Sequence, residues 1–296
     1  MERWREIEIK TGVSSERNEP GGKKPPFFHI FLLIATLITT MLAGALQEGV
    51  DILRQPLLIY KGLPFSLTLM LILGTHEIGH YITSKRNGVK ATLPYFIPAP
   101  SLLGTFGAFI KMESPIPDRR ALLKIGVSGP LAGFIIALPA TIIGLGLSEI
   151  KEPSQMKGGI SLGSSILLSF LTKTILGVSD DSVDIVLHPI GFAGWIGLFV
   201  TALNLLPMGQ LDGGHIVYSL FKRRHKILSL ITFISLFPLA YFWQGWLFWI
   251  MAVLLFGLRH PILVDEITPL EDEDKILGIV AIIIFIITFI PVPFKI

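Results

Sequence analysis

Apolar positions along this chain gather into long runs separated by loops that carry most of its Lys and Arg residues. Seven runs approach the roughly 20 residues a helix needs to cross the hydrocarbon layer of a bilayer. They are Phe27–Leu46, Phe65–Thr83, Leu122–Leu147, Pro189–Leu206, Ile227–Phe242, Trp246–Leu258 and Ile276–Ile290. The sixth is short and is expected to tilt against a neighbour or insert only in part. Pro238 interrupts the fifth and should kink it. Between the second and third runs, Ala91–Met112 is apolar but broken by Pro94, Pro98, Pro100, Gly104 and Gly107. A lipid-facing helix tolerates one such breaker more readily than five. This segment is expected to be re-entrant or extended within the membrane, where protein or water satisfies its backbone. An ordinary surface loop is the alternative. The expected fold class is an all-α polytopic membrane protein of about seven transmembrane helices with a small membrane-embedded β or re-entrant element.

Composition agrees with a bilayer environment. Of the 296 residues, 51% are hydrophobic and 16% charged, and the mean hydropathy is +0.66. The basic residues alternate between loops. Arg3, Arg5, Lys10, Arg17, Lys23 and Lys24 precede the first run, Lys85, Arg86, Lys90, Lys111, Arg119 and Arg120 follow the second, and Lys222, Arg223, Arg224 and Lys226 follow the fourth. The intervening loops are poor in them. By the positive-inside rule this pattern predicts a cytoplasmic N-terminus and an odd number of crossings. Ala43-Gly44-Ala45 loosely resembles a signal-peptidase site, but the preceding polar and apolar segments are long for a signal peptide, so a retained first span is expected. A net charge of +3 gives no argument for nucleic acid as a partner; the lipid bilayer is the expected surrounding. The absence of cysteine excludes disulfides, thiolate-ligated zinc and a cysteine nucleophile.

Inside the second run stands His76-Glu77-Ile78-Gly79-His80, an H-E-x-x-H pattern. On a helix, His76 and His80 share one face, so two imidazoles can grip one metal ion. Glu77 is placed beside the first ligand to take a proton from a water at that ion. The pattern is short enough to recur by chance in soluble proteins. Within an apolar span, however, ionisable groups are costly and mark functional sites. A second concentration lies at Asn204–His215, where Asp212 offers a hard oxygen ligand near an apolar run and Gly213-Gly214 lets the backbone turn tightly. Pro207 should break the helix before it. Two histidines and one carboxylate leave a fourth tetrahedral position open, which is the catalytic pattern of zinc. Alternatively, Asp-Gly-Gly is a helix-ending turn.

Together, H-E-I-G-H at 76–80 and N-L-L-P-M-G-Q-L-D-G-G at 204–214 resemble the site-2 protease family of intramembrane zinc metalloproteases, in the branch with chloroplast and archaeal members. Gly129-Pro130-Leu131-Ala132-Gly133 resembles the family's glycine-rich middle helix, and Gly104–Phe109 its membrane-embedded β element. The resemblance covers about Phe65 to His215. It implies one Zn2+ held by His76, His80 and Asp212, with Glu77 as general base. It also implies Asn204 as a donor to the oxyanion, although a helix–helix hydrogen bond is nearly as good a reading of that residue. The implied substrates are transmembrane proteins, cleaved within or near their spans.

Four segments are expected: an N-terminal cytoplasmic segment, 1–26; a first helix and outer loop, 27–64; a catalytic membrane core, 65–215; and C-terminal helices, 216–296. No predicted loop is long enough to hold an inserted PDZ domain. Two readings from other classes stay open on the residues alone, a metal transporter using the same ligands and an inactive protease-like adaptor. His215 competes as a fourth ligand with a place outside the site. His29, His188, His225 and His260 are expected to snorkel or cap. Asp181, Asp184 and the acidic run Asp265–Asp274 are expected to be solvated, with a contact between that run and Lys222–Arg224 as the alternative.

Overall fold

The computed structural model describes residues 26–151, 161–178, 184–256 and 263–295. The segment 1–25, Lys157, Asp181 and His260 lie outside them. Nine helices and eight short strands occur among the described residues. The first helix, α1, is Phe27–Gln47, and a 3-10 turn at Pro56–Gly62 leads into α2, Leu63–Arg86. Strands β1 (Tyr95–Pro98), β2 (Thr105–Phe109) and β3 (Ile116–Asp118) precede α3, Arg119–Gly146. Next come β4 (Glu149–Lys151), β5 (Ser161–Leu162), α4 (Ile166–Leu176) and β6 (Asp184–Val186). The chain continues through α5 (Pro189–Asn204), α6 (Asp212–Phe221), α7 (His225–Phe242) and α8 (Gly245–Phe256). It closes with β7 (Leu263–Asp265), α9 (Asp272–Thr288) and β8 (Phe294–Lys295).

Four helical segments are long and apolar enough to cross a membrane: Phe27–Gln47, Pro56–Arg86, Arg119–Gly146 and His225–Phe242. The helices at the other three predicted runs have 16, 12 and 17 residues. The protein is mostly helical, with apolar side chains turned outward on α1, α7 and α8, as expected where lipid replaces water.

At the centre, α3 packs against α2 on one side and α5 on the other. Small residues set that spacing. A Cβ at Gly144 would lie 2.0 Å from the Gly191 Cα, and one at Gly194 would lie 2.6 Å from Thr141 N. Close backbone approach of this kind holds helices together where no hydrophobic effect drives them. Trp195 is buried between α5 and β8, donating from Nε1 to the Gly163 carbonyl at 2.9 Å.

The broken segment 91–112 is an antiparallel hairpin, Tyr95 opposite Phe109 and Phe96 opposite Ala108, with a bulge before Pro98. Gly104 makes its turn at φ 74°, and a Cβ there would sit 2.4 Å from the Thr39 carbonyl oxygen of α1. Both requirements exclude a side chain. α1 braces the hairpin: Thr39 Oγ1 donates to Gly104 O at 2.6 Å and Gln47 Nε2 to Leu102 O at 2.8 Å.

Several expectations shift. α4 lies inside what reads as a long loop; its 11 residues begin where Ser165 Oγ accepts from Leu168 N at 3.1 Å. Asp184 is half-buried and its backbone stands in β6 opposite Lys151 of β4. His188 does cap a helix start, Nδ1 accepting from Ile190 N, whereas His225 turns its ring to the Lys222 carbonyl and caps no helix N–H among the described residues. The acidic run is only partly solvated. Asp274 is 1% exposed, caps α9 through the Glu271 N–H at 3.0 Å, and pairs with Arg120 at 2.9 Å and Lys124 at 3.4 Å of α3. A helix start needs its N–H groups satisfied, and α3 presents the cations that let a carboxylate do this while buried.

Asp274→Ala is therefore expected to loosen α9 from α3 and cost about 2 kcal/mol, less than a fully buried pair because Arg120 and Lys124 are partly exposed. Thermal unfolding of the detergent-purified protein measures it, and an unchanged Tm would contradict this role.

Candidate metal centre

α2 crosses α3 over a row of glycines. A Cβ at Gly79 would meet the Ser128 carbonyl oxygen at 2.5 Å, one at Gly133 would meet His76 Nδ1 at 3.2 Å, and one at Gly129 would lie 2.0 Å from His80 Nε2. Residues 126, 129 and 133 fall on one face of α3, so the row is a groove into which the two imidazoles fit. His80 Nδ1 lies 2.8 Å from the Ile125 carbonyl. Donation to that carbonyl leaves Nε2 as the lone-pair atom, aimed at His76. Pro130 has no N–H for the Gly126 carbonyl, so the helix ladder is interrupted next to the carbonyl that His80 uses.

Asp212 arrives from the other side as the first residue of α6. The preceding loop folds back on itself, with Met208 N bonded to Leu206 O at 2.7 Å and Gly209 at φ 58°. A Cβ at Gly213 would lie 2.0 Å from the Leu205 carbonyl oxygen, and one at Gly214 2.4 Å from that of Gly209. The two glycines let α6 begin against that loop. A carboxylate at a helix start is also favoured by the helix dipole.

The three predicted ligands meet. His76 Nε2 and His80 Nε2 are 3.1 Å apart, and Asp212 Oδ2 is 3.4 and 3.2 Å from them. Zn–N and Zn–O bonds of 2.0–2.1 Å place tetrahedral neighbours roughly 3.3–3.4 Å apart, so this donor triangle fits a zinc ion. Glu77 Oε1 is 4.0 Å from His76 Nε2, close to the triangle but outside it. Glu77 is buried, and the backbone of Ile110, just beyond β2, lies near enough to act on its carboxylate. Asn204, the last residue of α5, brings Nδ2 to 3.3 Å from His76 Nε2. His215 is buried one helical turn behind Asp212, its Cβ facing Gly126 rather than joining the triangle. Among the described residues no Lys or Arg pairs with Asp212 or Glu77. Two carboxylates beside histidines but without Lys or Arg form a site that a divalent metal can neutralise.

Three contributors escaped the sequence reading. Gly129 was legible as part of a glycine-rich helix but not as the floor under His80. The carbonyl of Ile125 and the backbone of Ile110 carry no side-chain signal at all.

A histidine pair from one helix, a carboxylate from another and a glycine-lined third helix define a polytopic membrane metalloprotein of the H-E-x-x-H type. Residues 64–241 match the family described as peptidase family M50, and the chain belongs to that family, as the site-2 protease resemblance implied. It is similar to the probable chloroplastic zinc metalloprotease EGY2 of Arabidopsis thaliana, 31% identical over 240 residues, which is 80% of this chain and 43% of that protein. EGY1 of the same plant is 32% identical over 248 residues, covering 78% and 43%. EGY3 of Oryza sativa subsp. indica is 30% identical over 251 residues, covering 77% and 42%. The chain thus spans less than half the length of these relatives.

Gly129→Ala should displace His80 and weaken Zn2+ binding at least about tenfold, the scale of losses on disturbing a ligand's support. Chelator competition read by elemental analysis measures this. Gly74→Ala, whose Cβ would meet Phe96 at an ordinary 3.7 Å, should leave affinity unchanged.

Proposed function

We propose that this chain is an intramembrane zinc metalloprotease that hydrolyses peptide bonds within or near the transmembrane segments of other membrane proteins. The observation that carries this reading is the close triangle of buried His76 and His80 with half-buried Asp212, and Glu77 and Asn204 at its rim. A transport site would have no need of an acid directly beside the first ligand. His76, His80 and Asp212 would hold one Zn2+, which when bound supplies Lewis-acid chemistry, acidifying a water and polarising the scissile carbonyl.

Glu77 takes the proton from the attacking water and returns it to the leaving amine nitrogen, so the peptide C–N bond breaks and an acid and an amine leave. Asn204 donates from Nδ2 to the oxygen on which negative charge develops. Glu77 is buried, so hydrolysis here requires water to be delivered to it, on this reading from the cytoplasmic side.

A substrate helix hides its peptide bonds in its own hydrogen bonds and must be unwound first. The hairpin supplies the means, its β2 edge pairing with the opened stretch by strand addition. Phe106 on β2 is 75% exposed, and the end of β2 leads directly to Ile110, whose backbone acts on the Glu77 carboxylate. On this reading the chain crosses the membrane about seven times from a cytoplasmic N-terminus, with the hairpin embedded. Its catalytic core runs from 65 to 215, followed by C-terminal helices from 216.

The test is cleavage of a tagged single-span protein by the detergent-purified enzyme. Glu77→Gln should keep zinc and lose at least about a hundredfold in rate. Asn204→Ala should keep zinc and lose about 10²–10³ in kcat. Cleavage by the Glu77→Gln protein at the wild-type rate would overturn the assignment. Phe106→Pro, with zinc content intact, should cut proteolysis; unchanged cleavage would remove strand addition from the mechanism.

A further inference from the structure

A slot lies between α6, α7 and α9, on the far side of the Asp212 loop from the metal ligands. Its first cavity, of about 540 Å³, is walled by Leu205, Ile216, Ile227, Ile282 and Phe285, with Arg224 as its charged residue. A second, of about 470 Å³, continues along α7 past Leu236 and Leu239 to Phe289, sharing Pro207 and Phe285 with the first. The two helices that flank the slot, α7 and α9, make no extended contact with each other. The walls ask for no hydrogen bonds, since the hydroxyls of Thr232 and Ser235 are already bonded to Leu228 O and Thr232 O.

Charge is confined to one end. Arg224 is exposed, and Lys222 and Lys226 are exposed on the same turn. Among the described residues none of the three forms an ion pair, although Asp265 lies near enough to feel Lys222. An apolar channel along a membrane-length helix, with cations at one end only, matches an amphiphile with an anionic head. A protein helix fits less well: with side chains it is ~10 Å across and fills roughly 420 Å³ per 5.4 Å turn, so the two cavities together hold little more than two turns beside the longer α7.

We propose that this slot binds one anionic phospholipid of the surrounding bilayer, its acyl chain lying along α7 and its headgroup phosphate held by Arg224. Leu205, Pro207 and Gly213 belong both to the slot wall and to the turn that carries Asp212, so the bound chain props that turn from behind. The inference rests on the membrane placement proposed above but not on proteolysis.

The experiment titrates the full chain, purified in detergent, with dioleoyl phosphatidylglycerol or dioleoyl phosphatidylcholine and counts bound lipid by native mass spectrometry. One phosphatidylglycerol should be retained, with phosphatidylcholine held several-fold more weakly. Arg224→Ala should weaken phosphatidylglycerol about fivefold, the scale of one cation at an anionic headgroup. Ile282→Trp should abolish retention of both while zinc content stays at the wild-type level, which shows the fold intact. Equal retention of phosphatidylglycerol by the wild type and the Arg224→Ala protein would overturn the proposal, as would a lipid retained by the Ile282→Trp protein. No lipid on the wild type, with cleavage blocked by Ile282→Trp, would also overturn it and make the slot a dock for the substrate helix. Because the readout is bound lipid, an inactive enzyme would leave the result interpretable.

Discussion

The close crossing of α2 and α3 is the constraint on which the site depends. Helices that meet through ordinary side chains keep their axes about 8–10 Å apart. Here a side chain at Gly129 would stand where the His80 ring lies, its Cβ 2.0 Å from Nε2. Removing the side chains at Gly79, Gly129 and Gly133 turns one face of α3 into a receptacle for both imidazoles. It also brings the Ile125 carbonyl within reach of His80 Nδ1. Ring orientation, tautomer and the direction of the Nε2 lone pair all follow from one interhelical distance. That distance is held on the other side of α3 as well, where Gly144, Gly191 and Gly194 bring α5 in and so deliver Asn204.

Charge tells the same story by contrast. The chain has cations to spare near α3, and it uses them: Asp274, buried at the start of α9, is met by Arg120 and Lys124. Half-buried Asp212 and buried Glu77, a short way along the same bundle, are met by histidines and by no Lys or Arg among the described residues. Both arrangements obey the same rule, that charge away from water must be compensated. Where the compensation is a side chain, the carboxylate locks two helices together. Where, on the proposed reading, it is left to a divalent ion, the carboxylate contributes to a reactive centre instead.

The sequence carried much of this because hydropathy and ligand spacing are local properties. The long apolar runs located α1, α2, α3 and α7, and the i, i+4 spacing of His76 and His80 needed only a helix to make a shared face. Five breakers in 91–112 marked the hairpin region without specifying strands, since breakers exclude a helix more firmly than they prescribe its replacement. α4 was missed because 11 residues are too few to read as a span, and its start is set by a single serine cap. The extension of α9 back to Asp272 was missed for a related reason. Its acidic first turn lowers the hydropathy, while a capping box with Glu271 and Asp274 is what fixes the boundary. Long-range partners were least legible: nothing local connects Asp274 with Arg120, or Ile110 with Glu77.

That last pair links the hairpin to the proposed chemistry. Glu77 is carried by its own helix with the backbone beyond β2 close to its carboxylate, and the hairpin is itself held by α1 through Thr39 and Gln47. A peptide strand added to β2 would therefore be aligned by the same piece of backbone that orients the proposed base. Register of the substrate and aim of the carboxylate become one variable, because a shift of β2 moves both. This coupling gives a physical reason for an extended element in a helical membrane protein. A helix could position a side chain, but only a strand edge can position another backbone and the group that attacks it at once.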